Sequence, residues 1–430
     1  MKILFIGGGG RAHAILWKAL HSHYVTEAFS APGNAGIAME RTLGGKPVIC
    51  VPINPTDIHA LLAWAKEHKP DLTIVQEDRP LALGIVDLFQ QAGLIIWGPT
   101  KRAFQFESSK IWAHKFMERY GIPHPIGKAC YSEWETLNFA EALGWQCVIK
   151  ADGLMDGKGA KVCHTKEMVA QAITQLFGPE GAQTRVLVQK LEEGNEVSLH
   201  YLCSGESATA FQSSTDYKRE CDGGLGENTG GLGTVSPSPD ITEEEYRKIS
   251  ETIITPWLVG CKAEGIDFRG ILYPGVMLTK EGPKVLEFNA RFGDTETQTY
   301  LTRLDHDLLP LIQGSLDGMP YQQNELRWRE QISVCVVMAS PGYPRKHETG
   351  KLITGLDIVA KMPDVKVIHA GTKLGDDGKV YTNGGRVLGV TAWGGTLEIA
   401  RVTAYQAVRF ITFEGGQHFR KDIGGPPLWD

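Results

Sequence analysis

The most specific chemical pattern in the chain lies at the end of a predicted strand, at Glu287, Phe288 and Asn289, followed by Arg291 and Asp294. Side chains alternate along a strand, so Glu287 and Asn289 share one face while Phe288 points the other way, into a core. Two oxygen ligands on one face suit Mg²⁺, which keeps water and phosphate oxygens as its remaining ligands. The pattern predicts a magnesium site at a strand end, with Arg291 placed to neutralise phosphate or carboxylate charge.

A second segment combines lysines and glycines in a way that is typical of a phosphate-binding lid. Lys150 ends a predicted strand, and the glycine-rich hairpin 153–159 that follows carries Lys158. Such a hairpin can close over a polyphosphate with lysine charges facing its oxygens. The Walker spacing G-x-x-x-x-G-K-[ST] is absent, so this is not a P-loop. A hairpin with solvated lysines is the alternative.

A third segment is suited to binding the nucleoside part of a nucleotide. A predicted strand ends within residues 188–191, and Glu196 follows it. This spacing suits a nucleotide that lies across a hinge at 188–191, where the carboxylate of Glu196 can accept hydrogen bonds from the ribose hydroxyls. The segment therefore predicts a nucleotide-binding edge beside the lysine-rich hairpin.

Near the N-terminus, four glycines and an arginine stand between a predicted strand and a predicted helix. Residues 7–10, followed by Arg11, present backbone N–H groups and the positive end of a helix dipole, which can hold an anion. The run lacks the third glycine of the dinucleotide fingerprint G-x-G-x-x-G. A tight turn with a surface arginine is the alternative. A second tight loop, residues 31–36, lies on the same rim.

Two polar, glycine-rich stretches lie in the middle of the chain, at residues 216–219 and 228–233. Their composition does not suit a core element, and loops of this kind commonly line substrate pockets. They are predicted to contact a substrate. A disordered surface loop is the alternative.

The first hundred residues alternate strand and helix patterns, which implies a parallel, doubly wound sheet. In such sheets ligands bind beyond the carboxyl ends of the strands, where residues 7–10 and 76–80 fall. The predicted strands are 2–6, 47–51, 72–75 and 94–97, and the predicted helices are 11–21, 54–67 and 80–92.

After residue 104 the pattern changes to helices mixed with antiparallel hairpins. Ser132 with Glu135, and Thr242 with Glu245, have capping-box spacing and mark two helix starts. A third block begins near Trp328. The predicted elements are a helix at 104–120, strands at 147–150, 161–164, 186–189, 197–203, 271–278, 284–288 and 333–338, and a helix from 396.

Composition disfavours several classes of function. The 430 residues carry 44 Lys and Arg against 50 Asp and Glu, a net charge of −6, and no apolar run is long enough to cross a bilayer. Nucleic acid and membrane surfaces are therefore disfavoured as the main partner. The eight cysteines are scattered without a C-x-x-C pair, which disfavours a zinc site or a disulfide framework and indicates a cytoplasmic protein.

Together, these segments resemble the phosphoribosylamine–glycine ligase family of the ATP-grasp superfamily. The correspondence runs in order through 7–13, 31–36, 98–101, 150–159, 228–233, 287–298 and 382–387. The resemblance implies ligation of glycine to phosphoribosylamine through glycyl phosphate, with ATP as co-substrate, in purine biosynthesis. It also implies an α/β and α+β multidomain fold with three domains. A biotin-carboxylase-like parallel α/β N-terminal domain at 1–103 would bind substrate. An ATP-grasp domain at 104–327, with its lid at about 123–195, and a β-rich C-terminal domain at 328–430 would follow.

The resemblance further implies roles for individual residues. Arg291, Asp294 and Lys150 would be catalytic, and Glu287 and Asn289 would bind Mg²⁺, or Mn²⁺ in its place. The residues expected to bind ATP are Lys110, Lys150, Lys158, Gln189, Lys190, Leu191 and Glu196. Those expected to bind phosphoribosylamine or glycine are Gly9, Gly10, Arg11, Gly33, Asn34, Asp78, Asp216, Lys218, Asn228, Thr229 and Arg291. No nucleic-acid or membrane partner is expected, and the chain is expected to be a monomer or a weak homodimer.

Several positions depart from the family pattern. Gln76 replaces a glycine in the loop expected to touch the ribose, Ala12 replaces a glutamate, and Thr215 and Tyr217 flank Asp216 in place of Gln and His. Because the ATP and metal residues match better than the amine pocket, a second hypothesis keeps the chemistry but uses a different amine or amino acid in a specialised pathway. A third, a nucleotide-binding protein without turnover, is disfavoured by the intact metal pair and lysines.

Overall fold

The computed structural model describes residues 1–155, 159–178, 183–319, 321–322 and 325–428. It begins with β1 Lys2–Gly7, α1 Gly10–Ala19, β2 Glu27–Pro32, α2 Ala35–Met39, β3 Ile49–Cys50, α3 Ile58–His68, β4 Leu72–Val75, α4 Asp78–Leu83, α5 Ile85–Gln91 and β5 Ile96–Trp97. These strands form a parallel sheet in the order β3-β2-β1-β4-β5. Ile3 and Phe5 of β1 pack into one core and Leu4 and Ile6 into another, so both faces are covered, as in doubly wound folds.

Three differences from the predicted elements have local causes. β2 is missing from the prediction because its Ala, Ser and Pro residues give a weak strand pattern, although it pairs with β1 along its whole length. The predicted helix 80–92 is two helices, since Gly84 has φ +91° between α4 and α5. The predicted helix 104–120 divides at Ser109, which has an extended backbone and whose side chain caps the second helix.

The segment predicted to form the lid folds into a small antiparallel sheet with two helices against it. After α6 Gln105–Ser108 and α7 Lys110–Tyr120 come β6 Gly127–Cys130, α8 Glu133–Ala142, β7 Cys147–Ala151, β8 Ala160–Cys163, α9 Lys166–Phe177 and β9 Val186–Lys190. The strand order is β6-β9-β7-β8, and we call this the lid sheet. Ser132 caps α8 by accepting the N–H of Glu135, whose carboxylate accepts the N–H of Tyr131 at 2.7 Å.

The central part of the chain supplies most strands of a large antiparallel sheet. Its elements are β10 Asn195–Ser204, β11 Ala208–Asp216, β12 Arg219–Cys221, a 3₁₀ turn at Asp222–Gly224, β13 Leu225–Asn228, β14 Gly233–Ser236, α10 Glu243–Ile249, a π-helical turn at Ser250–Ile254, α11 Thr255–Ala263, β15 Arg269–Thr279, β16 Gly282–Asn289, α12 Glu296–Arg303 and α13 Leu308–Asp317. Thr242 and Glu245 form the predicted capping box at α10.

The C-terminal part continues this same sheet. It contains β17 Ile332–Ala339, β18 Ile353–Thr354, α14 Leu356–Val359, β19 Val365–His369, β20 Thr372–Leu374, β21 Val380–Thr382, β22 Arg386–Gly394, α15 Leu397–Phe410 and β23 Thr412–Phe413. In the described part of the chain the order is β16-β15-β10-β11-β14-β17-β22-β19, with Gly233 of β14 opposite Val336 of β17. The sheet therefore runs without a break from the central part into the C-terminal part. No helix of the described ranges has the length and apolar character to cross a bilayer.

Aromatic packing fixes which face of β16 points outward. Phe288 is 2% exposed, and its ring meets that of Phe106 edge to face, with 5.6 Å between the centroids. Phe106 also contacts Phe116 and Trp257. A one-residue slip of β16 would turn the Phe288 ring out of this core. Because losing a buried aromatic side chain typically costs about 3–5 kcal/mol, such a slip is strongly disfavoured. Glu287, the neighbour of Phe288, consequently faces away from this core.

Candidate active site

Two arginines from distant parts of the chain share one carboxylate, that of Asp78. Its Oδ1 accepts hydrogen bonds from Arg11 at 3.1 Å and from Nε of Arg291 at 2.8 Å. Asp78 begins α4 and Arg11 lies in the first turn of α1, whereas Arg291 follows β16. Burial raises the pKa of Asp78, but the charges of Arg291 and Arg11 outweigh burial and lower it to about 2. These bonds join the N-terminal sheet to the end of β16.

Two further carboxylates complete a buried cluster, which we call the Asp78 network: Arg11, Glu77, Asp78, Glu107 and Arg291. Glu107 forms an ion pair with Arg291 at 2.9 Å and accepts a backbone N–H at 2.6 Å. Glu77 lies 3.4 Å from Arg11. Burial raises the pKa of Glu107 to about 7, and the Asp78 charge adds to this shift. Burial also raises the pKa of Glu77. Glu107 and Glu77 therefore bind protons more readily than surface carboxylates do, whereas Asp78 stays ionised.

Gln76, one of the departures from the family pattern, lies beside this network. Its side chain is buried and its Oε1 accepts the N–H of Phe292 at 2.9 Å. Arg11 donates to the carbonyl of the same residue at 2.9 Å, so the N-terminal sheet holds both backbone groups of Phe292. The Nε2 of Gln76 has no hydrogen-bond partner among the described residues. A buried donor therefore stands where the family pattern has glycine.

Lys150, on strand β7 of the lid sheet, contacts β16. Its Nζ donates to the carbonyl of Leu286 at 2.7 Å, where a register shift between β15 and β16 leaves Leu286 without an opposite residue. Lys110, the first residue of α7, donates to the carbonyl of Gly153 at 3.0 Å. Burial lowers the pKa of Lys150 to about 8, although the charge of Glu287 opposes the shift. β7 and α7 thus contribute one lysine each, at Lys150 and Lys110, beside the end of the lid strand β7.

Glu287 is the carboxylate on which these lysines converge. Burial raises its pKa, but the charges of Lys150 and two neighbouring lysines outweigh burial and keep the pKa below its ordinary value. Asn289 Oδ1 accepts one hydrogen bond, from Arg291 at 3.2 Å, and so keeps a lone pair. A carboxylate and an amide oxygen on one face, next to cations suited to phosphate, fit Mg²⁺ that completes its shell with water and phosphate oxygens.

Lys218 and Glu196 form an ion pair in this region. Lys218 precedes β12 and Glu196 lies near the start of β10. Burial lowers the pKa of Lys218, but the charge of Glu196 outweighs burial and holds it well above its ordinary value. A residue expected to bind ATP and one expected to bind the other substrates are therefore direct neighbours.

The predicted hinge lies at the end of β9. Gln189 is buried, and its amide nitrogen lies 3.4 Å from Nδ1 of His114, so its side chain points toward α7. Lys190 is exposed. The N–H groups of Lys190 and Leu191 donate at 2.8 and 3.0 Å to carbonyls just before β6 and β7, which fixes the backbone of this edge. Lys158 lies outside the described residues.

Three buried acceptor atoms without partners lie at the end of β11 and in the first turn of α12. Among the described residues, Oδ1 of Asp216, Oε2 of Glu296 and Oε1 of Gln298 have no hydrogen-bond partner, and we call these three residues the acceptor cluster. Burial and the charge of Glu296 raise the pKa of Asp216 well above its ordinary value. Unsatisfied buried acceptors are costly and require an explanation. A small cationic donor would satisfy them.

Arg386 holds the loop that borders the acceptor cluster. It donates to the carbonyls of Gly230 and Gly231, and also to that of Asp294 at 2.9 Å. It pairs with the Asp294 carboxylate at 3.0 Å, which accepts from Gln298 at 2.6 Å. Burial raises the pKa of Asp294, but the Arg386 charge helps to hold it below its ordinary value. Arg386 and Glu296 are absent from the predicted site; an arginine directly after two glycines at a strand start is the available signal for Arg386.

The loop held by Arg386 contains two predicted substrate residues. Thr229 Oγ1 donates to the carbonyl of Lys218 at 2.8 Å and accepts the N–H of Gly231 at 3.1 Å. Asn228 ends β13, which pairs with β12. The hydroxyl of Thr229 therefore shapes the turn next to the acceptor cluster.

The two N-terminal loops touch backbone to backbone. A Cβ at Gly8 would lie 2.5 Å from the carbonyl oxygen of Gly33, so this approach requires glycine. Asn34 donates to the carbonyls of Gly8 and His369, both at 2.8 Å, and accepts the N–H of Ile37 at 2.9 Å. The Asn34 amide thus ties the N-terminal loops to the C-terminal part.

The start of α1 faces the loop after β16. Gly9 is the N-cap and has no side chain to satisfy the first-turn N–H groups. A Cβ at Gly10 would lie 3.2 Å from Oδ1 of Asp294. The structure therefore brings the predicted phosphate-binding turn close to two of the predicted catalytic residues, Arg291 and Asp294.

Comparison with known proteins matches one family along nearly the whole chain. Residues 1–107, 108–297 and 333–426 match the N, ATP-grasp (A) and C domains of phosphoribosylglycinamide synthetase. The phosphoribosylamine–glycine ligase of Caldanaerobacter subterraneus subsp. tengcongensis is 41% identical over 428 residues, covering 98% of this chain and 99% of the relative. The Salmonella typhimurium protein of the same name is 42% identical over 430 residues, with coverage of 99% and 98%.

Solved structures agree with this match. The crystal structure of phosphoribosylamine–glycine ligase from Thermotoga maritima has a TM-score of 0.83 at 30% identity and covers 98% of this chain and 99% of that chain. The biotin carboxylase domain of the Hydrogenobacter thermophilus 2-oxoglutarate carboxylase, solved with MgADP, has a TM-score of 0.73 at 16% identity and covers 97% and 91%. The second likeness concerns the fold alone. The predicted fold class, with its biotin-carboxylase-like architecture, is confirmed.

We expect Arg386→Met to lower the free energy of unfolding by about 3–5 kcal/mol, because it leaves a buried carboxylate and several carbonyls without their donor. Chemical denaturation followed by fluorescence measures this. Arg247→Met is the matched control, since Arg247 is exposed and pairs with Glu251 one helical turn away; its cost is about 0.5 kcal/mol or less. Equal small losses in both variants would contradict the role given to Arg386.

Proposed function

Since the chain belongs to the phosphoribosylamine–glycine ligase family, we propose that it ligates glycine to phosphoribosylamine with ATP, giving glycinamide ribonucleotide, ADP and phosphate. The observation that carries this proposal is the contact of Lys150 Nζ with the carbonyl of Leu286, directly before Glu287, at 2.7 Å, within a chain that matches the family over 98% of its length. A nucleotide polyphosphate, a metal and a carboxylate substrate can meet at such a place.

In the first step, a carboxylate oxygen of glycine attacks the γ-phosphorus of ATP. The bond from that phosphorus to the ADP oxygen breaks, and glycyl phosphate and ADP result. Lys150 and Lys110 hold the phosphate oxygens, and Arg291 faces the charge that develops on the transferring group. Glu287 and Asn289 hold Mg²⁺, or Mn²⁺ in its place, which neutralises phosphate charge when bound.

In the second step, the amine of phosphoribosylamine attacks the carbonyl carbon of glycyl phosphate. The amide bond forms, the bond from carbon to the phosphate oxygen breaks, and the departing phosphate takes the proton of the amine. Gly9, Gly10 and Arg11 hold the phosphoribosyl group with backbone N–H groups and a guanidinium, and Gly33 brings the second loop to the same rim. Because the Asp78 network joins these loops to β16, the amine is held beside the activated carbonyl.

The acceptor cluster binds the ammonium group of glycine. Asp216 and Glu296 present carboxylate oxygens without partners among the described residues, and an ammonium group offers three donors and a charge. It would neutralise the repulsion that raises the pKa of Asp216. The glycine carboxylate then points toward Arg291 and the phosphates.

The nucleoside part of ATP lies along the end of β9. The backbone at residues 189–191 binds the adenine edge, and Glu196 accepts the ribose hydroxyls after exchanging its bond to Lys218. We also propose a cytoplasmic location, as the isolated cysteines indicate, and a monomer or weak homodimer.

The deciding experiment supplies ATP, Mg²⁺, glycine and freshly generated phosphoribosylamine. We expect glycinamide ribonucleotide and ADP in equal amounts, measured by mass spectrometry and a coupled ADP assay. Glu287→Gln is the inactive control, because it removes the metal-binding charge while keeping the shape of the side chain. ADP release without this amide, but with another amine added, would support the hypothesis of a different substrate, for which Gln76 is the first residue to test.

We expect Asp216→Asn to raise the KM for glycine about 10–100-fold, since it removes a charged hydrogen bond worth about 1.5–3 kcal/mol. The KM for ATP should stay nearly constant. Steady-state kinetics with each substrate varied in turn separates the two effects. Asp267→Asn is the control, because its carboxylate lies at the surface beside Arg269. An unchanged glycine KM in Asp216→Asn would place the ammonium elsewhere.

We expect ATP to bind more weakly as the pH rises above about 8, because burial lowers the pKa of Lys150 to about 8. Below that pH the ammonium is present in the free protein; above it, phosphate binding must take up a proton, which weakens binding by up to about tenfold per pH unit. Titration calorimetry between about pH 7 and 9.5 measures this. Lys150→Arg stays charged throughout and should flatten the profile. The same slope in both proteins would assign the titration to another group.

A further inference from the structure

We propose that His114, Glu118 and His124 form a binding site for a transition-metal ion such as Zn²⁺, at the point where the chain enters the lid. One ligand atom from each of these side chains lies within 4.8 Å of the other two. The site is distinct from the pair of oxygen ligands on β16. Imidazole nitrogen combined with carboxylate oxygen is a ligand set that favours zinc and similar metals over Mg²⁺.

Two of the ligands are held by helix geometry. His114 and Glu118 lie one turn apart on α7, so their side chains share a face. Nε2 of His114 lies 3.5 Å from Oε1 of Glu118. Two ligands bound to a tetrahedral zinc at 2.0–2.1 Å are about 3.4 Å apart, so this pair already has the separation that a shared ion requires. The exposed Glu118 side chain can adjust its oxygen without disturbing the core.

The third ligand is oriented by a bond to the backbone. Nδ1 of His124 lies 2.7 Å from the carbonyl of Ile122, so that nitrogen carries the proton and donates it. Nε2 of His124 therefore keeps its lone pair. The rings of His114 and His124 pack edge to face with centroids 4.6 Å apart. A histidine whose second nitrogen donates to a backbone carbonyl has the tautomer and orientation of a metal ligand.

The strongest observation concerns the buried ring of His114, which is 3% exposed. Its Nε2, on the side of Glu118, has no hydrogen-bond partner among the described residues. Its Nδ1 lies 3.4 Å from the amide of Gln189, whose Oε1 also has no partner there. Turning the Gln189 amide over lets Nδ1–H donate to Oε1, and leaves the Nε2 lone pair directed at the site. A bound metal thus satisfies an acceptor that no described residue satisfies.

The three ligands lie at the junction between α7 and the lid sheet. His114 and Glu118 belong to α7, whereas His124 lies on the connection from α7 to β6, the first strand of the lid sheet. An ion bound to all three side chains joins the helix to the entry of the lid. The scattered cysteines disfavour a cysteine-based zinc site, but these ligands are histidines and a glutamate, which the cysteine pattern does not address.

The test uses the full-length protein, stripped of metal and kept in excess Mg²⁺ so that oxygen-ligand sites are occupied. Titration calorimetry with Zn²⁺ should show one equivalent bound, and a Co²⁺ titration should give visible absorption without the near-ultraviolet charge-transfer band of thiolate ligands. Zn²⁺ should also raise the thermal unfolding temperature.

His124→Ala should abolish the stoichiometric site, and Glu118→Gln should weaken it more than tenfold. Both positions are on or near the surface, and circular dichroism checks that each variant folds. His59→Ala, an exposed histidine on α3, is the matched control and should bind as the parent does. Absence of a stoichiometric site in the parent, a thiolate charge-transfer band, or unchanged binding by His124→Ala would each overturn the proposal.

Discussion

The shared carboxylate of Asp78 is the constraint on which the active region depends. It lies between Arg11 and Arg291 at 3.1 and 2.8 Å, and removing one member of a buried ion cluster typically costs about 3–5 kcal/mol. The start of α1, the start of α4 and the loop after β16 must therefore stay together. Since that loop follows Glu287 and Asn289, the same contact sets the distance between the N-terminal loops and the end of β16.

The C-terminal part contributes contacts to the candidate site as well as strands to the large sheet. β14 pairs with β17, so one sheet runs through both parts. Arg386, at the start of β22, reaches back across this sheet to Asp294 and to the loop at Gly230. An arginine suits this place because its planar fork can serve several oxygens at once. Arg386 thus binds the backbone of the loop next to the acceptor cluster. Among the described residues, Oδ1 of Asp216 and Oε2 of Glu296 have no hydrogen-bond partner.

Short-range patterns were sufficient to predict many of the helices and strands and the inward face of β16, because alternation and capping act over a few residues. Phe288 is buried as alternation requires, and Thr242 caps α10. β2 escaped prediction because it is stabilised by pairing with β1 rather than by its own composition. Arg386 escaped for a related reason: its partner Asp294 is 92 positions away, and only the folded sheet brings the two side chains together. The Asp78 network spans still longer separations. Arg11, Asp78 and Arg291 were therefore predicted singly, whereas their mutual contacts and the participation of Glu77 and Glu107 were not.

Lys218 and Glu196 neutralise each other in the protein without substrate. A half-buried ammonium without a counterion is disfavoured, and the charge of Glu196 holds the pKa of Lys218 well above its ordinary value. If Glu196 is to accept ribose hydroxyls, its bond to Lys218 must be exchanged, and Lys218 then needs another anion. Glu287, whose charge also acts on Lys218, and the phosphates of a nucleotide bound at the proposed site would be the candidate anions. Binding of the ribose to Glu196 would therefore free Lys218 to contact the phosphates. In this way the binding of the nucleoside and the neutralisation of its polyphosphate would depend on the same side-chain exchange.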